Sequence, residues 1–344
     1  MANQCEQLVR LLRAEGAAVE LVRSNPPYRP LWVGGVPVLR ALFRLLPYLA
    51  ALWGAVGRAQ VVHVLSNSGW AWHLYTTPVL WIGALRRRPV IVNYRGGHAD
   101  AFFAKAPRHV LRSLRGAALR VTPSRYLYEV FAKYGLDACV VPNIVDLTRF
   151  TPRAALPFGD APRLLVARNL EAIYDIATAL RAFALVRQRF GAATLTIAGT
   201  GTELAALRAL AAELGVAQAV EFAGRIDNAD MPRLYARADC VLNPSTVDNM
   251  PISILEAFAS GVPVVSTDAG GIPDLLGDDE TGLLVAVGDV RAMGDAACRV
   301  LADGALAERL TRNALAEAAR CAWPPVRALW LDAYRAAVRK ERAA

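Results

Sequence analysis

Lysine is nearly missing from this chain: three occur, against 36 arginines. Cysteine, histidine and methionine are also scarce, with five, four and four residues. Each scarcity removes a class of protein. Cys5, Cys139, Cys240, Cys298 and Cys321 are odd in number, widely spaced and form no Cys-x-x-Cys pair. This excludes a disulfide scaffold or a zinc ribbon and fits reduced thiols in the cytoplasm. The histidines are not paired at metal-ligand spacing. No run of eighteen apolar residues without charge is present, so no membrane-spanning helix is expected. The first residues are polar and carry no apolar core segment, so no secretory signal is read there. Repeats and low-complexity tails are absent too.

What is present points to two domains. A length of 344 residues with 55% apolar content allows a core in each half. Charge is unevenly divided. Residues 1–160 hold 20 Lys/Arg and 8 Asp/Glu; residues 161–344 hold 19 and 22. A basic half beside a near-neutral half suggests that the first half meets something anionic: a membrane surface, a phosphorylated lipid or nucleic acid. An arginine-rich composition is the competing account, although it should affect both halves alike.

Apolar periodicity predicts alternating helices and strands from the first residues. Leu8, Leu11 and Leu12 mark a helix over about 3–15, ended by Gly16, and 18–22 reads as a strand. A Rossmann-like domain normally opens with a strand and a glycine-rich turn before such a helix. Both are missing here, so the expectation is an upstream start or a truncated chain. Pro26, Pro27 and Pro30 mark a loop. Residues 37–58 form an apolar helical stretch with Arg40, Arg44 and an internal Pro47. It reads either as an interfacial helix with arginines at headgroups or as a core helix kinked at Pro47.

A strand over 61–65 leads through Ser66-Asn67-Ser68-Gly69 into a helix carrying Trp70, Trp72 and Trp81. Trp70 is placed either to stack on a ligand or in the core. Arg86-Arg87-Arg88 reads as a solvated turn that adds to the basic face. The next strand, 90–93, ends at Tyr94-Arg95-Gly96-Gly97-His98. There a cation could hold an anionic group and His98 could carry a proton. Arg108, Arg112 and Arg115 make one cationic helix face, with His109 and Arg120 nearby. Further strands are expected at 119–122 and 140–141.

In the second half, 154–162 reads as a linker and 163–167 as a strand ending at Arg168. Residues 194–201 read as a strand with a Gly199-x-Gly201 turn. Position 204 is Leu, so the third glycine of a dinucleotide fingerprint is missing and a nicotinamide dehydrogenase is not expected. A strand at 220–226 follows, then a short helix at 231–238. The densest signal is Asn243 to Asp274. It reads strand, loop, helix, strand and glycine turn, with Asp248 ahead of the helix and Glu256 about one and a half turns inside it. A helix N-terminus offers unpaired N–H groups and partial positive charge to a phosphate. Glu256 can accept two hydroxyl donors, as a ribose diol supplies them, and Asp248 can do so for a sugar. Asp278-Asp279-Glu280 reads as a solvated loop.

The Asp248–Glu256 spacing, continued through Ala-Ser-Gly-Val-Pro-Val-Val-Ser-Thr-Asp-Ala-Gly-Gly (259–271), resembles the carboxylate pair of family 4 glycosyltransferases. That resemblance implies an α/β GT-B fold with two Rossmann-like domains facing a central cleft, the first strand of the N-terminal domain being missing here. It implies an acceptor-side domain over 1–153, a donor-binding domain over 154–322 and a last helix, 323–344, crossing back to the first. The family usually has Glu at positions 248 and 274, where this chain has Asp. Arg168 matches the family's diphosphate-binding arginine. The lysine that follows it is not matched, the position reading as Tyr174 with Asp175 next.

The implied activity is retaining, metal-independent transfer of a hexosyl-type sugar from a nucleotide diphosphate sugar to an acceptor hydroxyl. The acceptor would be a polysaccharide, a lipid-linked sugar or a small molecule. The alternatives are a noncatalytic nucleotide-sugar-binding protein and an epimerase- or phosphorylase-type enzyme of the same architecture. Arg168, Asp248, Glu256, Arg95 and His98 are the expected catalytic residues. Gly199, Gly201, Arg225, Ile226, Asn249, Met250, Pro251, Ile252 and Ser253 are the expected nucleotide-sugar contacts, with Arg225 and Ile226 at the base. Neither a metal nor a cofactor is expected, the nucleotide sugar being a substrate. Nucleic acid is not an expected partner; a carbohydrate or lipid-linked acceptor is, with the inner face of a membrane open through the basic half.

Overall fold

The computed structural model describes residues 2–24, 37–152 and 159–343. The expected loop at Pro26, Pro27 and Pro30, residues 154–158 of the linker and the side chain of Arg40 lie outside the described residues. The chain divides into two units, one of 1–141 with 327–344 and one of 142–326.

Unit 1 contains α1 (Ala2–Ala14), α2 (Pro37–Arg58), β1 (Val62–Ser66), a π-turn at Trp72–Thr76, α3 (Thr77–Leu85), β2 (Val90–Tyr94), α4 (Ala99–Lys105), α5 (Arg108–Arg115), β3 (Leu119–Thr122), α6 (Arg125–Lys133) and β4 (Cys139–Val140). The strands form one parallel sheet in the order β1-β2-β3-β4. Parallel strands are covered on both faces, which explains their continuous apolar runs. Val90, Val92 and Tyr94 pack into a core with α2, α3, α5 and α6. Ile91 and Val121 face the other way and are also buried.

Two expectations are corrected here. Residues 18–22 are irregular rather than a strand. The Val19 carbonyl accepts from Arg13 Nη2 at 2.7 Å and Glu20 pairs with Arg58, so side chains take up groups that a ladder would otherwise order. Arg120 is buried in β3 and does not join the basic helix face. It donates to the carbonyls of Leu114 (3.0 Å), Ala117 (3.3 Å) and Asp137, closing the open end of α5. Burial lowers its pKa.

Unit 2 contains β5 (Arg163–Ala167), α7 (Ile176–Arg189), β6 (Thr194–Ala198), α8 (Leu204–Glu213), β7 (Val220–Gly224), α9 (Met231–Arg237), β8 (Cys240–Asn243), α10 (Ile252–Ala259), β9 (Val264–Thr267), β10 (Leu283–Val285), α11 (Val290–Ala302) and α12 (Gly304–Arg320). The last helix, α13 (Trp323–Ala343), starts in unit 2 and from Arg327 belongs to unit 1.

Six parallel strands run in the order β10-β9-β8-β5-β6-β7. Strand alternation separates two cores. Leu164, Val166, Cys240 and Leu242 face α7 and α11; Leu165, Val241 and Val264 face α10 and α12. The result is a three-layer α/β/α sandwich with doubly wound strand order. That order reverses between β5 and β8, and ligands of such sheets bind beyond the strands' carboxyl ends at the reversal.

Candidate active site

The two loops leaving β5 and β8 meet at this reversal. Thr246 N donates to the Ile173 carbonyl at 2.9 Å and so ties the loops together. Arg168 leaves the end of β5, and its Nε donates to Asn243 Oδ1 at 2.8 Å. Its Nη2 forms an ion pair with Asp248, the side chains being 12% and 16% exposed. Asn243 is fixed in turn: its Nδ2 donates to Ser266 Oγ at 2.8 Å, and its Oδ1 also accepts from Ser245 Oγ at 3.0 Å. The Asp248 carbonyl accepts from Gly271 N at 2.9 Å, which gives the Gly270-Gly271 turn a positioning role.

Gly199 and Gly201 bring β6 close to the same strand end. A Cβ at Gly199 would lie 1.9 Å from the Arg168 carbonyl, and one at Gly201 2.2 Å from that of Leu170. Arg168 N donates to Ala198 O at 3.0 Å and Leu170 N to Thr200 O at 3.0 Å. In this structure the two glycines therefore place the backbone that carries Arg168.

Tyr174 ends a 3-10 turn (Ala172–Tyr174), and the Arg168 guanidinium lies 4.9 Å from its ring centre. Asp175 takes up a left-handed conformation (φ 41°) and caps α7, accepting from Thr178 N at 3.3 Å and Thr178 Oγ1 at 2.6 Å. The position after Arg168 thus supplies an aromatic face and a helix cap.

Helix α10 begins at Ile252, with Pro251 as the capping residue. The N–H groups of Ile252 and Ser253 have no acceptor within the helix. Ser253 Oγ is buried without a partner among the described residues. A buried orphan hydroxyl costs about 1–3 kcal/mol, so its place beside open N–H groups is informative. Met250 is held from behind, its carbonyl accepting from Asn143 Nδ2 at 2.7 Å. Asn249 N donates to Asp248 Oδ1 at 2.8 Å.

Glu256 is partly buried within α10. Burial pushes its carboxyl up to about 7, opposed by a hydrogen bond from Tyr235 and by the charges of Arg149 and Arg168. The Tyr235 hydroxyl is fully buried, has Ser253 O at 3.1 Å as a second acceptor competing for its single proton, and has its own pKa raised by that burial and by Glu256.

The structure thus brings together Arg168, Asp248, Asn249, Met250, Pro251, Ile252, Ser253 and Glu256, with Gly199 and Gly201 in support. Arg225 and Ile226 follow β7, the edge strand two places from β5; Arg225 is exposed and Ile226 packs on the second core. Asp274 is exposed at the end of a short 3-10 turn. Asp279 pairs with Arg299 and Arg309 at the surface.

Sequence reading missed Asn243, Tyr235 and Arg149. Asn243 was legible as a polar residue ending a buried strand. Tyr235 sits in an apolar helix pattern that conceals its hydroxyl, and only the folded chain carries Arg149 to Glu256.

Arg95 and His98 belong to unit 1. Arg95 Nε donates to Asn93 Oδ1 at 3.3 Å, and burial lowers its pKa to about 10. His98 is exposed at the start of α4. Near Arg95 a buried network joins Asn93 Nδ2 to His63 Nε2 (3.1 Å) and His63 Nδ1 to Tyr334 Oη (2.8 Å), with Trp330 against the His63 ring. A hollow of about 470 Å³ is lined by Gly69, Trp70 and His73 of unit 1. Among the described residues no three His, Cys, Asp or Glu side chains are grouped to hold a metal ion.

The family described as Glycosyl transferases group 1 matches residues 149–317, which include the unit 2 side chains named above except Asn143. The GDP-mannose-dependent alpha-(1-6)-phosphatidylinositol monomannoside mannosyltransferase of Mycolicibacterium smegmatis is 31% identical over 255 residues, covering 67% of each chain. This chain belongs to the group 1 glycosyl transferases. The glycogen synthase of Mycobacterium tuberculosis is 31% identical over 215 residues, covering 62% of this chain. The matched part spans about half of that relative, 52%. Among solved structures, Anabaena HepE in complex with UDP shares the fold of this group 1 chain. Its TM-score is 0.71 at 20% identity, over 94% of this chain and 88% of that one. The two parallel-sheet Rossmann-like units are accordingly those of a GT-B glycosyltransferase.

Proposed function

We propose that this chain transfers a hexosyl-type sugar from a nucleotide diphosphate sugar to an acceptor hydroxyl, with retention of configuration, as in family 4. The observation that carries the proposal is the meeting of Arg168, Asp248 and the N-terminus of α10 at the reversal of the sheet. A diphosphate leaving group gains negative charge as the glycosidic bond breaks. Prepositioned donors at that point stabilise the transition state most. Arg168 and the N–H groups of Ile252 and Ser253 take that part. Asp248 and Asn249 orient the sugar hydroxyls, and Glu256 accepts from the ribose. A metal ion is given no step in this scheme.

The base is assigned to the backbone at Arg225 and Ile226, and acceptor contacts to Arg95 and His98. Relatives whose names specify GDP-mannose and structures solved with UDP make GDP and UDP sugars the donors to try first. The acceptor class is a polysaccharide, a lipid-linked sugar or a small molecule. The five cysteines are unpaired, which fits a cytoplasmic site of action.

The test is a panel of UDP and GDP sugars, followed first by binding and then by release of nucleotide with and without sugar acceptors. Acceptor-dependent release that is lost in Arg168→Ala is expected. Tight binding with no turnover on any acceptor would favour a noncatalytic nucleotide-sugar-binding protein.

A further inference from the structure

The helix after β1 is apolar on both sides. Val79, Leu80 and Gly83 of α3 are buried against the core, as is Trp72 in the π-turn. On the outer side Trp70 (79% exposed), Leu74, Trp81 (66%) and Leu85 (72%) form a stripe at helical spacing. Helix α2 repeats the arrangement. Tyr48, Leu52 and Val56 enter the core, while Phe43, Leu46 and Trp53 are exposed at i, i+3 and i+10. The helices pack on each other, and the Arg86 guanidinium lies 4.0 Å from the Trp53 ring centre where the stripes adjoin. Scattered exposed apolar residues need no explanation, but two adjoining stripes rich in Trp and Leu indicate a covered surface.

Charge indicates what covers it. From Pro37 to Arg120 the chain has twelve arginines and lysines and one acid, Asp100. That acid is neutralised by Lys133 at 2.8 Å. Arg87 is exposed at one end of α3. At the other end α5 packs on α3, with Arg108, His109 and Arg112 exposed, and the His109 ring lies 5.8 Å from that of His73. The face therefore has an apolar, tryptophan-bearing centre with cations at both ends. Tryptophan favours the boundary between lipid tails and water, and arginine there meets anionic headgroups. No helix among the described residues is long and apolar enough to cross a membrane, so the contact is interfacial.

We propose that the α2–α3 face, flanked by the α5 arginines, docks on an anionic phospholipid bilayer. Helix α2 would then serve both sides, its Tyr48, Leu52 and Val56 face packing in the core and its Phe43, Leu46 and Trp53 face meeting lipid.

The full chain should be mixed with vesicles of phosphatidylcholine alone or with 40% phosphatidylglycerol, and binding followed by co-sedimentation and tryptophan emission. Expected are at least tenfold tighter binding to the anionic vesicles, a blue shift in emission, and strong weakening by 0.5 M salt. Trp81→Glu with Leu85→Glu, and separately Arg108→Glu with Arg112→Glu, should each reduce binding tenfold or more. All four side chains are exposed, and thermal unfolding checks that both variants are folded. Equal binding to neutral vesicles, or unaltered binding by folded variants, overturns the proposal. So does a concentration-dependent dimer that Trp81→Glu with Leu85→Glu dissolves, since a second copy would then cover the face.

Discussion

Arg168 and Asp248 are 80 residues apart in sequence yet form an ion pair across the junction of β5 and β8. The cation proposed to hold the diphosphate is therefore already engaged by the carboxylate proposed to hold the sugar. Asn243 steadies the arginine from one side and Tyr174 from the other. A nucleotide must compete with Asp248 for this guanidinium.

Removing that competitor should separate binding from catalysis. Asp248→Asn is expected to bind UDP or GDP more tightly, by about 3- to 10-fold, because Arg168 is released. Transfer should fall by about 10²-fold through loss of sugar orientation. Calorimetry with nucleotide and an acceptor-dependent assay read the two effects separately. Weaker nucleotide binding by the variant would show that the pair does not restrain Arg168.

Tyr174→Lys puts a cation where the family resemblance has one. Diphosphate affinity should rise by roughly tenfold, as a charge-assisted hydrogen bond is worth about 1.5–3 kcal/mol before losses in ordering the side chain. Unchanged affinity at low salt would mean that position 174 does not reach the diphosphate.

Gly199→Ala and Gly201→Ala force a methyl group against the carbonyls of Arg168 and Leu170. The loop after β5 must move. A loss of about 1–3 kcal/mol is expected, or about 2–4 °C in Tm per kcal/mol for a unit of this size. Nucleotide affinity should drop with it. Calorimetric melting compares both with Gly191→Ala, a glycine with open space around its would-be Cβ.

Acid should act on the two units in opposite directions. Glu256 has its pKa raised from 4.5 to about 7, so the folded chain holds a proton there that the unfolded chain has lost. Its contribution to stability is greatest at and below about pH 4.5 and declines as pH rises to 7, by at most roughly 3 kcal/mol. His63 has its pKa lowered from 6.5 to about 3 by burial and by Arg95. Its neutral form is favoured on folding, so stability declines as pH falls from 6.5 toward 3. Denaturant unfolding at pH 8, 6 and 4.5 should show Glu256→Gln flattening the first trend and His63→Gln the second. Parallel pH curves for wild type and both variants would refute this.

Strands and helices in both units were legible where a short apolar run stops at glycine or asparagine, as Thr194–Ala198 does at Gly199 and Cys240–Asn243 at its last residue, and where a helix carries a cap, as α7, α11 and α12 do. Arg163–Ala167, Leu119–Thr122 and Pro37–Arg58 fall where periodicity places them. Residues 18–22 read the same way and are irregular, because strand propensity needs a neighbouring ladder that local sequence does not provide. Arg120 was misplaced for a similar reason: an arginine in a basic stretch gives no sign that carbonyls surround it.

The sequence by itself determined an alternation of short apolar strands and helices, the loop and helix from Asp248 to Glu256, and the basic character of the first 160 residues. These are local properties, written in periodicity, capping residues and charge. Only the tertiary structure decided that Arg168 pairs with Asp248, that Tyr235 and Arg149 attend Glu256, and that Trp70 and Trp81 face outward while Trp72 is buried. Those outcomes depend on strand order and on helix packing, which bring together residues that sequence spacing keeps apart.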